Sequence, residues 1–213
     1  MQIAIVLFDR FTALDAIGPY QVLANLPDAE VVFVGERPGP VADDHQTLRV
    51  EAEAAFADVP RPGIVVVPGG PGQAGQMDGS PLREWLLAAD QTSEWTTSVC
   101  TGALILAGAG LLTGRRATTH WTAMDELGRL GAVPVTERVV EDGKYMTGAG
   151  VSAGIDMALT LSGLIGGDEV AQAIQLGIEY DPQPPYDVGS PAKAPEQMVR
   201  RLRAVSRFSL TRQ

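Results

Sequence analysis

Cysteine and histidine are scarce in this sequence, which has one cysteine and two histidines among its 213 residues. A single cysteine excludes an internal disulfide and a multi-cysteine metal cage, and two distant histidines offer little for a metal site. No apolar run approaches the ~18 residues that a membrane-spanning helix needs. The first ten residues lack the basic region of a signal peptide. We therefore expect a soluble cytoplasmic protein, in a reducing compartment that keeps the one thiol free.

Basic residues are also few. Lysine and arginine number 16 against 26 acidic residues, so the net charge is −10. Nucleic acids and anionic membranes attract positive surfaces, so this balance predicts no nucleic-acid partner and no membrane partner. The composition, 45% apolar and 20% charged, is that of an ordinary globular protein with a full core.

The pattern of apolar runs indicates an α/β fold. Residues 2–8 and 64–67 are continuously apolar, which is typical of strands buried on both faces of a parallel sheet, and 30–36 and 97–100 resemble further strands. Helical stretches alternate with these strands, at 15–26, 81–90, 102–112, 122–130, 153–165 and 168–178. This alternation predicts a doubly wound, mostly parallel sheet between helices. Residues 135–147 carry Asp142-Gly143 and predict an added β-hairpin.

The C-terminal part has a different composition. Residues 181–195 hold five of the 15 prolines, so they predict an ordered surface loop rather than a helix or a central strand. Residues 196–213 carry five arginines, with Met198, Leu202 and Val205 at helical spacing, and predict a terminal helix with a solvated basic face. With no repeat and no earlier linker, we expect one domain over residues 1–213.

Two glycine motifs have weak links to known chemistry. Gly70, Gly72 and Gly75 form G-x-G-x-x-G, but the motif does not follow the first strand, and Pro71 interrupts it. A glycine-rich turn with free backbone N–H groups, able to hold a developing negative charge, is the better interpretation. Residues 150–154 match the G-x-S-x-G elbow of hydrolases, yet both histidines precede Ser152, so we expect Ser152 to be a helix N-cap.

Cys100 lies where a strand ends and the helix over 102–112 begins. The helix dipole and free N–H groups at that point favour thiolate over thiol. In an open α/β sheet, ligands bind outside the carboxyl ends of the strands. The sequence therefore allows a reactive cysteine here, and a buried inert cysteine is the alternative.

Asp15 follows the first strand. Pro19 is tolerated only in the opening turn of a helix, which places Asp15 at a helix entrance, where it is either an N-cap or a functional acid. If the first strand neighbours that of Cys100, both side chains face one crevice. Like charge and burial then raise the pKa of the carboxyl, making it a proton donor near neutrality. His120, beside Trp121, is either a structural residue or part of a Cys–His pair.

These residues lie in motifs that resemble the ThiJ/PfpI superfamily, which is related to class I glutamine amidotransferases. The motifs are SVCTGA at 98–103, AGAGLLTGRRATTHW at 107–121, LDAIGP at 14–19 and VPGG at 67–70. Within the superfamily, the bacterial isonitrile hydratases are the most similar branch. The segments that carry this second resemblance are RVV at 138–140, TGAG at 147–150, AGID at 153–156 and the tail motifs EYDP, PP and GSP between 179 and 191.

The resemblance implies a flavodoxin-like α/β sandwich, a homodimer, and a Cys100 nucleophile on a strained turn with Asp15 as the acid. It implies that a small neutral isonitrile becomes an N-substituted formamide through a thioimidate on Cys100, without metal or organic cofactor. Thr101, Gly148 and Gly150 would shape the site. The supporting residues that we expect around the catalytic pair are Gly70, Gly72, Thr101, His120, Gly148 and Gly150.

Related activities remain as alternatives. Peptidase and amidotransferase relatives have histidine where this chain has Thr101, so those roles lose support. Relatives that regulate transcription continue into a helix-turn-helix domain, whereas this sequence stops at residue 213. A glyoxalase or carbonyl hydratase would require His120 near Cys100 and glutamate in place of Asp15. A redox or ligand sensor would oxidise Cys100 without turning over an isonitrile.

Overall fold

The structure, a computed structural model, describes residues 1–206. Its strands are β1 (Gln2–Val6), β2 (Glu30–Gly35), β3 (Gly39–Ala42), β4 (Arg49–Ala52), β5 (Ala54–Ala55), β6 (Ile64–Val67), β7 (Trp95–Val99), β8 (Arg116–Ala117), β9 (Val133–Pro134), β10 (Val139–Asp142) and β11 (Tyr145–Gly148). Its helices are α1 (Ala13–Leu23), α2 (Ala74–Met77), α3 (Pro81–Asp90), α4 (Gly102–Gly108), α5 (Met124–Arg129), α6 (Ala153–Gly166), α7 (Asp168–Gly177) and α8 (Glu196–Ala204).

A seven-stranded sheet forms the centre, in the order β10-β11-β7-β6-β1-β2-β5. Every neighbouring pair is parallel except the hairpin of β10 and β11. The predicted α/β class, with a mostly parallel sheet and an added hairpin, is therefore confirmed. The chain runs outward from β1 through β2 and returns to β6 on the other side of β1. Such a reversal opens a crevice at the carboxyl ends of the strands, where α/β proteins bind ligands.

The sheet is buried because its central strands are apolar along their whole length. Residues 3–6 of β1 and all four residues of β6 are buried, as expected of strands covered on both faces. Helices α1, α6 and α7 pack on one another, and α4 packs against α2 and α5. These two groups of helices supply the apolar contacts that hold the loops at the carboxyl ends of the strands.

The helix bounds differ from the sequence prediction where glycine or tertiary packing intervenes. Helix α4 ends at Gly108 rather than at residue 112, and Gly110 follows it with a φ of 84°. The expectation that Pro19 must lie in an opening turn is wrong, because Pro19 is the seventh residue of α1. A Cβ at Gly154 of α6 would lie 3.1 Å from the Pro19 ring, so close packing between α1 and α6 accommodates the proline.

The C-terminal part follows the sequence prediction as far as it is described. Residues 181–195 contain neither helix nor strand, and α8 covers Glu196–Ala204 of the predicted helix at 196–213. Residues 207–213 of that prediction lie outside the described residues. Between residues 1 and 206, no helix combines the length and the apolar character needed to cross a membrane.

Candidate active site

Three loops meet at the carboxyl ends of β1, β6 and β7. Asp15 lies in the first turn of α1, Gly69 and Gly70 follow β6, and Cys100 follows β7. Because these strands are adjacent in the order β7-β6-β1, their loops converge at one edge of the sheet. The structure thus brings Asp15 and Cys100 together, although 85 positions separate them in the chain.

Cys100 occupies a strained backbone conformation. Its φ is 56°, in the left-handed region that non-glycine residues rarely adopt. Its N–H donates to the carbonyls of Gly148 and Ala149, at 3.0 and 2.7 Å. Its carbonyl accepts a 2.8 Å hydrogen bond from the Thr119 hydroxyl. These three bonds hold the turn in the strained form.

The turn also requires a glycine after Thr101. A Cβ on Gly102 would lie 2.1 Å from the Val67 carbonyl oxygen, a distance that no real contact allows. The absence of that atom lets α4 begin directly over the end of β6, and therefore places Cys100 beside the loop of Gly69 and Gly70.

Asp15 is completely buried, and its carboxylate is held in place. Oδ2 accepts a 2.9 Å hydrogen bond from the Gly69 N–H, and the carboxylate also forms a hydrogen bond with the Cys100 sulfur. The N-cap alternative is wrong, because Thr12 occupies the N-cap of α1. The carboxyl group therefore faces the sulfur, as the functional interpretation requires.

The surroundings of Cys100 act against the thiolate that a helix N-terminus favours. Burial raises the pKa of its thiol well above the usual value, and the nearby Asp15 charge raises it further. Backbone hydrogen bonds from Val151 and Thr101 act in the opposite direction but do not prevail. Helix α4 has only seven residues. Burial and the Asp15 charge therefore both favour the protonated thiol of Cys100.

The glycine-rich turn differs from the prediction in how its N–H groups are used. Gly70 donates its N–H to the Thr101 hydroxyl at 3.0 Å, and Gly72 donates to the Arg10 carbonyl at 3.3 Å. These donors are already engaged, so the expectation of free N–H groups at Gly70 and Gly72 is wrong. Both glycines instead permit close packing: a Cβ at Gly70 would lie 2.5 Å, and one at Gly72 2.0 Å, from backbone oxygens of the loop after β1.

A cavity of about 440 Å³ opens beside the cysteine turn. We call the part nearest the turn the inner wall, which consists of Thr119, Ala149, Gly150 and Val151. Thr119, Ala149 and Val151 each form a hydrogen bond with Cys100. Cys100 has no exposed surface and does not itself line the cavity. A ligand in the cavity is thus separated from the sulfur by the inner wall.

The predicted supporting residues are distributed around this wall. His120 lines the cavity and packs on Gly150, where a Cβ would lie 2.9 Å from the imidazole ring. Gly148 ends β11 and accepts from Cys100. The roles of Thr119 and Val151 in contacting Cys100 were missed, because both act through contacts between residues distant in sequence. Thr119 directly precedes His120, and the sequence indicated a role in the site only for the histidine.

Ser152 lies at the N-cap position of α6 but makes no side-chain cap. Its hydroxyl accepts instead from Arg138, whose guanidinium also pairs with Asp156. The predicted capping bond is therefore wrong, because the arginine takes the oxygen. Among residues 1–206, no group of three or more histidine, cysteine or acidic side chains is arranged to hold a metal ion.

Comparison with known proteins identifies similar chains. The model of the DJ-1/PfpI family matches residues 1–163. Isonitrile hydratase of Pseudomonas putida is 44% identical over 203 residues, which are 95% of this chain and 89% of that protein. A ThiJ/PfpI family protein from Pseudomonas syringae has a crystal structure that is 33% identical, with a TM-score of 0.92, covering 97% of this chain and 86% of that one.

A more distant structure agrees in fold alone. Drosophila melanogaster DJ-1beta is 20% identical, with a TM-score of 0.76, and the match covers 85% of this chain and 98% of that one. The central sheet and its flanking helices are therefore an architecture that this chain shares with proteins of quite different sequence.

Proposed function

The chain belongs to the DJ-1/PfpI family, and we propose that within it the chain is an isonitrile hydratase, which converts an isonitrile and water into an N-substituted formamide. The observation that carries this proposal is the 44% identity to isonitrile hydratase of Pseudomonas putida over 95% of the chain. A match of that extent includes the cysteine turn, the Asp15 loop and the cavity walls. The remaining steps concern how these residues perform the reaction.

The catalytic pair is Cys100 and Asp15, which share one proton. Burial and the neighbouring Asp15 raise the pKa of the Cys100 thiol, so we propose a resting pair in which the thiol donates a hydrogen bond to the Asp15 carboxylate. Addition to an isonitrile needs a nucleophile and a proton at the same terminal carbon. A thiol next to a carboxylate supplies both, because the carboxylate takes the proton as the sulfur attacks and returns it to that carbon.

The first stage forms a covalent thioimidate. Cys100 Sγ bonds to the isonitrile carbon, and one bond between that carbon and nitrogen breaks. The proton that leaves sulfur passes through Asp15 to the carbon, so the product is R–N=CH–S–Cys100 and Asp15 is again a carboxylate. The Gly69 N–H holds the carboxylate in position throughout this transfer.

The second stage uses water. The oxygen of a water molecule adds to the thioimidate carbon while Asp15 accepts a proton from that water. Asp15 then transfers the proton to the nitrogen of the thioimidate. The C–S bond then breaks, the hydroxyl proton returns to sulfur through Asp15, and R–NH–CHO leaves. The pair ends in the protonation state in which it began, so the chain needs no co-reactant besides water.

The buried position of the sulfur suits the shape of the substrate. The isonitrile group is linear and only two atoms long, while its substituent is the bulky part. A cavity of about 440 Å³ is in the range that small-molecule ligands occupy. We infer that the substituent lies in the cavity and that the isonitrile carbon reaches Cys100 when the inner wall yields slightly.

Burial of the thiol argues against the sensor alternative. Redox-sensing cysteines are exposed and have a lowered pKa, whereas Cys100 is buried and its pKa is raised. The glyoxalase alternative is tested by offering methylglyoxal beside an isonitrile. Turnover of methylglyoxal alone would replace the present proposal.

We also propose that the chain forms a homodimer and is located in the cytoplasm. The family resemblance favours a homodimer, and Leu14 and Tyr20 expose apolar surface on α1, the helix that carries Asp15. Sedimentation or light scattering of the purified chain tests this directly. A reaction through a reduced thiol also favours a reducing compartment such as the cytoplasm.

The proposed activity is tested by formamide release from cyclohexyl isocyanide. We expect turnover by the wild-type chain and none by Cys100→Ala, and an adduct on Cys100 in the intact mass during turnover. Methylglyoxal is assayed alongside. Undiminished hydration by Cys100→Ala would exclude the covalent route, and no hydration by the wild type would exclude the function.

A further inference from the structure

The cavity beside the cysteine turn has a second side, formed by the C-terminal part of the chain. Gly189, Ser190 and Pro191 also line it, and we call these three residues the outer wall. Trp121 and Met124 line the same cavity. The family model matches residues 1–163, which include Cys100, Asp15 and the inner wall but not the outer wall.

Several contacts fix the outer wall to the site. Trp121 shares a small second cavity with Pro191 and with Met198, Val199 and Leu202, so α8 surrounds the indole on its far side. The Arg203 guanidinium lies 5.7 Å from the centre of the indole ring, at cation–π distance. Trp121 therefore stands between the active-site cavity and α8.

A chain of hydrogen bonds connects the end of α8 with His120. The Ser206 hydroxyl donates to the Thr122 hydroxyl at 2.9 Å, and the Thr122 hydroxyl lies 2.8 Å from His120 Nδ1. The Thr122 N–H also donates to Nδ1, so Nδ1 is an acceptor and Nε2 carries the proton of the neutral ring. The C-terminal residues thus help to orient a ring that packs on the inner wall at Gly150.

From these contacts we propose that the outer wall and Trp121 determine which isonitriles the chain accepts, by limiting the size of the substituent. The proposal rests on the proposed function and adds to it. The reacting pair and Trp121 belong to the part of the chain that the family model matches, while the outer wall comes from outside it. The surface of the cavity is more apolar than polar, and its two charged side chains are paired, Arg138 with Asp156 and Glu137 with Arg116. The favoured substituent is therefore uncharged and of limited bulk.

Gly189 offers a direct test. A Cβ at Gly189 would meet no atom within 4 Å, and its φ is not in the left-handed region, so a side chain can begin there without a clash or backbone strain. Gly177, at the end of α7, has equally open surroundings and lies away from the cavity, so it is the matched control. The variants are Gly189→Phe and Gly177→Phe, and the substrates are methyl, cyclohexyl and 1-adamantyl isocyanide.

We expect Gly189→Phe to lower kcat/KM for the cyclohexyl substrate at least about tenfold more than for the methyl substrate, mainly through KM. Gly177→Phe should retain the wild-type ratio of kcat/KM between the cyclohexyl and methyl substrates. Calorimetry with N-cyclohexylformamide provides a readout without turnover, and Gly189→Phe should bind it more weakly than wild type. If Gly189→Phe does not fold, Pro191→Ala enlarges the cavity and should raise the adamantyl-to-methyl ratio.

The outcomes separate the two proposals. The role of the outer wall would be overturned if Gly189→Phe and Pro191→Ala each changed kcat/KM equally for all substrates, or did not change it. The proposed hydration activity would be unaffected by that result. If the wild type hydrates no isonitrile but formamide binding still depends on Gly189, the proposed function fails and the wall stands as a ligand-binding surface.

Discussion

The Asp15 carboxylate is hydrogen-bonded to the Cys100 sulfur, and neither side chain has any surface in contact with solvent. Many cysteine enzymes ionise the nucleophile before the substrate arrives. Here burial and the Asp15 charge raise the pKa of the Cys100 thiol and so oppose its ionisation. This arrangement suits a reaction in which nucleophile and proton are delivered to one carbon, because the proton is stored at the place where it is needed.

Asp15→Asn should retain the fold and lose most of the activity. The asparagine amide oxygen can still accept from Gly69, so the local structure is preserved. The amide cannot relay a proton, and we expect kcat to fall by about 10²- to 10⁴-fold. Formamide release and circular dichroism measure the two effects. Activity within a few-fold of wild type would remove Asp15 from the mechanism.

The same variant makes a pH prediction. The Asp15 charge is one of the causes that raise the pKa of Cys100, so its removal should lower that pKa and shift alkylation of the thiol to lower pH. Asp90→Asn is the control, since Asp90 is also buried but lies before the amino end of β7. That variant should lose stability without moving the alkylation profile. An unchanged profile in Asp15→Asn would contradict the electrostatic coupling.

Reagent size should matter for modification of the thiol. Cys100 is the only cysteine, so every labelled molecule reports on this position. We expect methyl methanethiosulfonate to react at least about tenfold more slowly than with glutathione at the same pH, because each unit of raised pKa reduces the thiolate fraction tenfold. Ellman's reagent, which is bulky and charged, should be retarded further. Equal retardation of both reagents would show that access through the cavity does not limit reaction.

The general architecture could be predicted from local sequence. Continuous apolar runs located β6 at 64–67 and β1 within 2–8, where the strand ends at Val6, and Asp142-Gly143 marked the hairpin, because these signals depend on neighbouring residues. The strands of Asp15 and Cys100 are not neighbours as the sequence argument assumed, because β6 lies between β1 and β7. The two residues still meet because the carboxyl ends of parallel strands share one edge of the sheet. These features required no knowledge of distant contacts.

Other features depend on tertiary structure and were beyond prediction. Pro19 lies inside a helix because Gly154, far along the chain, leaves room for its ring. The N–H groups of the glycine turn are engaged by Thr101 and Arg10, which are close only after folding. The raised pKa of Cys100 reflects complete burial, whereas a helix N-terminus, seen alone, favours a thiolate.

Gly102→Ala should damage both stability and activity. The added methyl would meet the Val67 carbonyl at 2.1 Å, so α4 or β6 must shift and carry the cysteine turn with it. We expect a loss of about 1–3 kcal/mol in the free energy of unfolding, together with a large fall in kcat. Gly75→Ala is the control, because its Cβ would meet nothing within 4 Å and alanine favours a helix. Wild-type activity in Gly102→Ala would show that the close approach is not needed for catalysis.

Tyr145 lies at the end of the sheet opposite the active site, and its ionisation makes the stability of the fold depend on pH in the alkaline range. Its hydroxyl donates a 2.9 Å hydrogen bond to Asp90, and burial together with that carboxylate raises the pKa of Tyr145 to about 12. A pKa raised in the folded state gives stability that is complete below the unfolded value, about 10, and that is lost as the pH rises towards 12. Wild type should therefore lose stability across this interval partly through Tyr145.

Tyr145→Phe isolates this contribution. We expect the variant to be less stable by about 1.5–3 kcal/mol at pH 7, because a bond to a charged acceptor is lost. The gap from wild type should narrow above pH 10, since the variant has no phenol there to ionise on unfolding. Urea denaturation between pH 7 and 11 measures both effects, with Tyr186→Phe, at a side chain that is 78% exposed, as the control that should change neither. A gap that stays constant or widens with pH would mean that the Tyr145–Asp90 bond does not favour the protonated phenol.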